Sequence, residues 1–464
     1  LRALWMLAPM TRTARICAAL LLLSALCHAP SAEEKRESLL AAGPMPAWAE
    51  MTSAAIWVQT TRPCAVQLRY WPEQQSKQAR LSAEKNTWAG SDHIATFVLK
   101  DLEPGTRYTY ELYLDGTLQQ FEWPLRFQTQ PVWRWRGPAP DFTFTLGSCL
   151  YVNEERFDRP GTPYGGDFEL LDALAAEPAD FMLWLGDNTY LREPDWLTEE
   201  GIRHRYAHTR AFPKLQKVLA TRHNYAIWDD HDYGPNDSDR SYRLKETSLE
   251  VFKDYWPGVQ YGTDTAPGCF SRFEWADVEF FLLDDRYYRT PGKALDDAAT
   301  MFGERQLQWL KDGLSNSVAT FKVIVAGGQM MNPLAPFEAL ARFPRERQEI
   351  INYIVDNRVS GVLFLSGDRH MSELIRVTPD GGYPLYDFTS SPLSSGTRTP
   401  KADDAEFENP ARVPGTLVGG KRNYGRVKVS GTGEERALQL SCHGKDGGEL
   451  WSRRIAVTEL RFPD

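Results

Sequence analysis

The sequence predicts a mixed α/β protein in two parts. An all-β sandwich over residues 44–130 precedes a larger α/β part, residues 141–464, in which two sheets are covered by helices. Three observations predict it. The 464 residues exceed what one ordinary core holds. Short strands of alternating polarity fill the first part. Largely apolar runs separated by helical patterns fill the second, as strands buried on both faces require. Fifteen tryptophans agree with a β-rich core.

Ahead of both parts, Arg12 and Arg15 precede the apolar run Ile16–Leu26 and then small residues. This is the layout of a secretory signal peptide, residues 1–32, cleaved near residues 29–32, and it predicts a periplasmic or secreted protein. Residue 1 is Leu, so Met6 or Met10 is the expected start. The run is too short to span a bilayer, and no transmembrane segment is expected elsewhere.

In the sandwich, Val66, Leu68 and Tyr70 alternate with polar residues, and Ile94–Lys100 is a further strand. Leu102–Leu112 is a turn entering a strand with Tyr108 and Tyr110. It resembles the fibronectin type III corner, where a Tyr closes the sandwich. Leu125–Thr129 is the last strand. Residues 130–140, with Trp133, Trp135, Gly137, Pro138 and Pro140, read as a linker that packs back on the core. Strands are then expected at Phe142–Leu146, Phe181–Leu185, Tyr225–Trp228, Val278–Leu283, Phe321–Ala326 and Val362–Leu365. Helices are expected at Phe168–Ala176, Leu215–Ala220, Gln306–Leu314 and Gln348–Val355. Residues 385–460 are mostly strand-like again.

A net charge of −9 argues against a nucleic-acid backbone as partner. Beyond the leader, Cys64, Cys149, Cys269 and Cys442 allow three disulfide pairings, Cys269 with Cys442 among them.

The chemistry lies at the carboxyl ends of the strands, where a layered sheet builds its site. Gly186-Asp187 follows one strand; glycine permits the turn, and a carboxylate there can bridge two cations. Tyr190, three residues on, reaches the same point. A phenolate ligand must lose a proton with a pKa near ~10, which favours a strongly Lewis-acidic trivalent ion such as Fe³⁺. Cys149 offers a thiolate to that ion. Asp230, Asp368 and His370 complete the set, and His231 is placed as an acid or electrostatic clamp. Asp229 reads as a structural hydrogen-bonder. Arg286 and Arg369 suit phosphate or a salt bridge. His204 and His208 have helical metal-pair spacing, but Arg203, Arg205 and Arg210 around them would repel a cation, so they read as a solvated helix face.

The ordered motifs GSC (147–149), GDNTY (186–190), WDDHDYGPND (228–237), LDDRYYR (283–289), FGERQLQWL (302–310), GDRH (367–370) and SSPL (390–393) resemble the alkaline phosphatase D (PhoD-like) family of metallophosphoesterases. The likeness covers residues 141–395. It implies a four-layer α-β-β-α metallophosphoesterase sandwich behind a fibronectin III/Ig-like domain. In the wider superfamily a Gly-Asn-His-Asp/Glu motif supplies a metal-binding Asn and a catalytic His; Asp230 and His231 stand in those places. The superfamily's Gly-His-x-His is replaced by Gly367-Asp368-Arg369-His370, and its leading Asp-x-His by Gly147-Ser148-Cys149. Gly-Asp with a Tyr three residues later is shared with purple acid phosphatases, where the Tyr binds ferric iron.

The resemblance implies an Fe³⁺ held by Cys149, Asp187, Tyr190 and His370. A second ion would share Asp187 and take Asp230 and Asp368. Family likeness and the oxygen donors favour Ca²⁺ there, with Mg²⁺ or Zn²⁺ as alternatives. Asn236 or Asp237 would add a ligand, and Gln329 falls where the superfamily often places a His ligand. The implied reaction is hydrolysis of small phosphate mono- or diesters by a hydroxide bridging the two ions, with His231, Asp230 and Arg369 as the catalytic residues, in a monomer. The loops at 260–268 and 400–422 are expected to cover the cleft and set the choice of substrate. Two other readings are a phospholipase D-like phosphodiesterase and a non-catalytic exported binding protein on the same fold. A cysteine-nucleophile phosphatase is excluded, because its Cys-x5-Arg spacing is not met: Glu155 stands where that Arg belongs.

Overall fold

The computed structural model describes residues 38–334 and 336–462, so the expected signal peptide lies outside the described residues. The N-terminal sandwich pairs a three-stranded sheet (Leu40–Ala49, Ala54–Thr60, Ile94–Leu99) with a sheet built on Ala65–Pro72 and Arg107–Leu114. Alternation in these strands puts Val66, Leu68, Tyr108, Tyr110 and Leu112 inside. The expected corner is present: Tyr108 OH accepts the Glu103 N–H at 2.8 Å, and the ring stacks on Phe127 at 4.9 Å. Strand Leu40–Ala49 was not expected, because a Gly and two Pro interrupt its pattern.

Two six-stranded sheets form the α/β part. The first runs His223–Ile227, Phe181–Leu185, Phe142–Gly147, Asn423–Ser430, Ala437–Gly444, Glu449–Ala456; its first three strands are parallel and the rest antiparallel. The second runs Ser271–Trp275, Val278–Leu282, Phe321–Ala326, Val362–Ser366, Leu385–Thr389, Glu373–Val377, with antiparallel strands only at its edges. The sheets meet through aromatic rings: Phe144 and Phe181 of the first each lie edge-on to Phe280 of the second, at 5.3 and 5.5 Å. Helices Glu304–Asn316 and Pro344–Asp356 stand beside the second sheet, and Glu169–Ala176 and Pro213–Ala220 beside the first. Gly313 lets the first of these press on its sheet, since a Cβ there would sit 2.4 Å from the Phe281 ring. The order is α-β-β-α, as expected.

Leu39–Asp464 packs as one compact unit. Buried hydrogen bonds join the sandwich to the first large sheet: Asn224 Nδ2 donates to Pro46 O at 3.0 Å, and Tyr225 OH accepts from Ala49 N at 3.2 Å. Gln130, at the head of the linker, donates to Ala49 O and Glu274 O at 2.9 and 2.7 Å. The linker thus packs back at its start, but Trp135 stands in solvent at 92% exposure. Cys64, Cys149, Cys269 and Cys442 are all buried and free, so the Cys269–Cys442 pairing does not form.

Helix Glu199–Arg210 has two faces. His204 is half-exposed and meets Glu154 at 3.0 Å, whereas Arg205 is buried between Asp195 and Glu154. Arg210 is buried too, 3.9 Å over the Trp256 ring. The His204/His208 face is thus exposed to partly exposed, as expected, while Arg205 and Arg210 lie on the buried face of the same helix. Among the described residues no helix is long and apolar enough to cross a membrane.

Candidate metal centre

Four strands end at one place. Phe142–Gly147 delivers Cys149, Phe181–Leu185 delivers Asp187, His223–Ile227 leads into the short helix Asp230–Tyr233, and Val362–Ser366 delivers Asp368 and His370. Three of the four strands stop where the chain turns sharply. Cys149, Asp187, Asp368 and His370 all have left-handed backbones, with φ of 59, 53, 62 and 56°. L-residues rarely adopt this conformation, and it gathers at functional sites. Gly186 has φ 86°, and a Cβ there would lie 2.6 Å from that of Asp229, so only glycine lets these two turns touch.

Three groups of donor atoms result, each within 4.8 Å: Cys149, Asp187 and His370; Asp187, Asp230 and His231; and Asp229, Asp230 and Glu338. Asp187 and Asp230 link them in a row. The Cys149 thiol lies 3.4 Å from Asp187 Oδ2, and the Tyr190 phenol donates to that same oxygen at 2.9 Å. The His231 backbone N–H reaches Asp187 Oδ1 at 3.3 Å and Asp230 Oδ1 at 2.9 Å, and Asp237 N–H donates to Asp230 Oδ2 at 2.7 Å. Ser391 Oγ donates to Cys149 Sγ at 3.1 Å and accepts the His370 N–H at 2.9 Å. His370 Nδ1 is 2.5 Å from Gly396 O, an arrangement that puts the ring proton on Nδ1 and frees Nε2. The His231 ring stacks on Tyr190 at 4.2 Å.

Electrostatics call for a cation. Burial, then Cys149 and Asp230, push the Asp187 carboxyl well above the usual range. Burial pushes Asp368 up to about 6. Burial works against the charged forms of Cys149 and His370, yet each holds the other: the imidazolium lowers the thiol, and the thiolate lifts His370 to about 9. Among the described residues, Asp368 Oδ2 and His231 Nδ1 are buried without a hydrogen-bond partner. Crowded carboxylates with orphaned atoms are the setting that a bound cation satisfies.

A cavity of about 500 Å³ opens over the cluster; Asp187, Asp230, His231, Asn236, Asp237, Asp368, Arg369 and His370 line it. Cys149 and Tyr190 lie buried beside it. Gln329 is corrected: its amide donates to Glu373 and Thr389 and accepts from Asn332, all within 2.9 Å, so it is held inside the second sheet. Arg286 does not reach the cavity. It is fully buried against Asp229 and Glu338. Asp229 is structural, as expected. Arg369 borders the cavity, pinned to Glu406 at 2.7 Å. The loop at 400–422 supplies that Glu406 but no lining residue, and none of 260–268 lines the cavity. The sequence reading missed Tyr164, Phe337, Glu338 and Arg398 on the cavity wall, and Ser391 beneath it. Of these only Ser391, in the SSPL motif, carried a local signal.

Two helix-covered sheets with such a donor cluster at their strand ends define the metallophosphoesterase class of fold. The sequence profile of the PhoD-like phosphatase family matches residues 144–436, and that of a Domain of unknown function (DUF7800) matches residues 37–132. The chain belongs to the PhoD-like phosphatase family. Alkaline phosphatase D of Bacillus subtilis (strain 168) is 23% identical over 346 residues, which span 61% of this chain and 57% of that relative's length. The solved structure of PhoD matches with a TM-score of 0.75 at 17% identity, over 92% of this chain and 93% of that one. A purple acid phosphatase from yellow lupin (Lupinus luteus) seeds matches with a TM-score of 0.62 at 12% identity, over 89% and 74%. The two structural likenesses bear on the fold.

Proposed function

We propose that the chain is an exported, metal-dependent phosphoesterase, and the observation that carries this is Asp187 shared between two donor groups at the floor of one cavity. Cys149, Asp187, Tyr190 and His370 would hold Fe³⁺. Asp187, Asp230 and Asp368, with Asn236 or Asp237, would hold Ca²⁺, or Mg²⁺ or Zn²⁺ in its place. A pair of cations, when bound, supplies Lewis acidity to water and to the phosphoryl oxygens. The chain's own part is to place groups around the phosphorus. His231 borders the cavity and hands a proton to the departing oxygen. Arg369, held by Glu406, faces the phosphoryl charge. Two domains, residues 44–130 and 141–464, are read as acting in one monomer. The basic-then-apolar order of residues 1–32 supports export to the periplasm or beyond.

Purified protein with added calcium is to be assayed against p-nitrophenyl phosphate, its bis ester and a phospholipid. Hydrolysis of at least one is expected, and the best substrate decides between monoesterase, diesterase and phospholipase D-like readings. Metal retained with no hydrolysis would favour a binding protein. Metal analysis should find iron, with a visible colour that Tyr190→Phe bleaches; a colourless zinc protein overturns the iron assignment. His231→Ala should keep its metals and lose roughly 10²–10⁴ in turnover. Rescue by calcium would remove the acid role.

A further inference from the structure

Tyr164 reaches the cavity from a loop that no motif marked. Its ring packs edge-on to Tyr151 at 5.1 Å and Tyr190 at 6.1 Å, and lies 6.0 Å from the His370 ring. The loop is pinned on several sides. Arg422 donates to Tyr164 O at 3.2 Å, Ser395 O at 2.8 Å and Asp167 at 3.1 Å, while Gly166 N–H donates to Ser394 O at 2.9 Å. Gly165 and Asn153 exchange two further bonds, at 2.9 and 3.0 Å. Gly396 makes room for the ring: a Cβ there would stand 2.7 Å from Tyr164 Cε2. The same Gly396 carbonyl accepts the His370 Nδ1 proton.

The phenol oxygen lies 3.4 Å from His370 Nδ1. That nitrogen already carries a proton for Gly396 O, so it offers no lone pair to the phenol. With Nδ1 protonated, the Tyr164 O–H is thus a donor at the cavity wall, beside the proposed ligands, with no acceptor among the described residues. Its packing limits the ring's rotamers, which is what a preorganised donor requires.

We propose that Tyr164 is a further catalytic residue, donating its phenol hydrogen bond to a non-bridging oxygen of the phosphoryl group bound over Asp187; this rests on the phosphoesterase reading above. Tyr164→Phe keeps the ring and its packing and removes only the donor. Its kcat/KM for p-nitrophenyl phosphate should fall on the order of 10²-fold, and its affinity for inorganic phosphate about tenfold. Iron and calcium content and the visible colour should match the wild type. Unchanged kinetics and phosphate affinity would make Tyr164 a packing residue, and loss of iron would make it a support for His370; either overturns the proposal. A wild type that hydrolyses no ester removes the phosphoesterase reading, while the phosphate comparison still decides Tyr164. A wild type that binds no phosphate overturns the proposal as well.

Discussion

Two carboxylate clusters lie side by side in this protein and differ in one thing. Asp229, Asp285 and Glu338 surround Arg286, with Arg289 against Glu338 at 3.0 Å, and all are buried or nearly so. Asp187, Asp230 and Asp368 face the cavity, and the guanidinium nearest Asp368 is that of Arg369, at 4.0 Å. Asp229 and Asp230 are neighbours in the chain; Asp229 is paired with Arg286, whereas Asp230 faces the cavity while its carboxylate still lies within 4.8 Å of Asp229 and Glu338. The first cluster is closed by its own counter-ions. The second has carboxylates in excess and an opening, so it is built to receive a cation. Carboxylate density alone therefore does not mark a metal site; carboxylates without guanidinium partners, next to a cavity, do.

The largest effect is expected from breaking the closed cluster. Arg286→Met leaves three buried carboxylates around an apolar side chain and should destabilise the fold by about 3–5 kcal/mol, read by chemical denaturation. Asp187→Asn in the open cluster should leave the metal-free protein as stable or more so, because burial and its neighbours already disfavour a charged carboxylate at that position. If the two variants behave alike, the distinction fails.

A smaller effect tests how the open cluster is held. Ser391 touches both Cys149 and the His370 backbone. Ser391→Ala should weaken iron binding about 10–100-fold, the usual worth of a group that orients ligands, with little change in unfolding midpoint. An equally large loss of stability would mean that Ser391 supports the fold and not the ions.

The smallest effect is a pH dependence of the chelated protein. Asp368 has a folded pKa of about 6 against an ordinary 3.8. Between these values the folded state binds more protons than the unfolded one, so stability falls as pH rises through this window and levels off above it. Metal-saturated protein should show the reverse slope, since protons compete with cations for the same oxygens. Thermal midpoints from pH 4 to 7 give both curves, and Asp368→Asn should make the chelated one shallower, the remaining slope coming from other buried carboxyls such as Asp232, raised to about 7. A flat curve for the unsubstituted chelated protein would place Asp368 in the closed class.

Much of this was legible in the chain. The apolar runs before Cys149, Asp187, Asp230 and Asp368 became strands within a residue or two of the expected bounds. Long apolar stretches with a turn at the end carry their own signal of length and period. Strand Leu40–Ala49 carried none, since glycine and proline hide a strand that packing against its neighbours stabilises. Gln329 was misplaced for a related reason. Its position at a strand end suited a ligand, but its hydrogen-bond partners come from Glu373 and Thr389, distant in sequence. Tyr164, Arg398 and Glu338 escaped notice because nothing local distinguishes them from any exposed Tyr, Arg or Glu.

By itself the sequence determined most of the strands of the α/β part, the tyrosine corner of the sandwich, and most of the strand-end residues that meet. These depend on local period, turn chemistry and the spacing of motifs, all of which short stretches of chain encode. Only the tertiary structure decided that the partner of Asp229 is Arg286, 57 residues away in the chain. It also decided that Arg286 braces the interior and that Gly396 serves His370 and Tyr164 at once. The physical reason is that a buried charge takes its role from the partner folded against it, and that partner can lie anywhere in the chain.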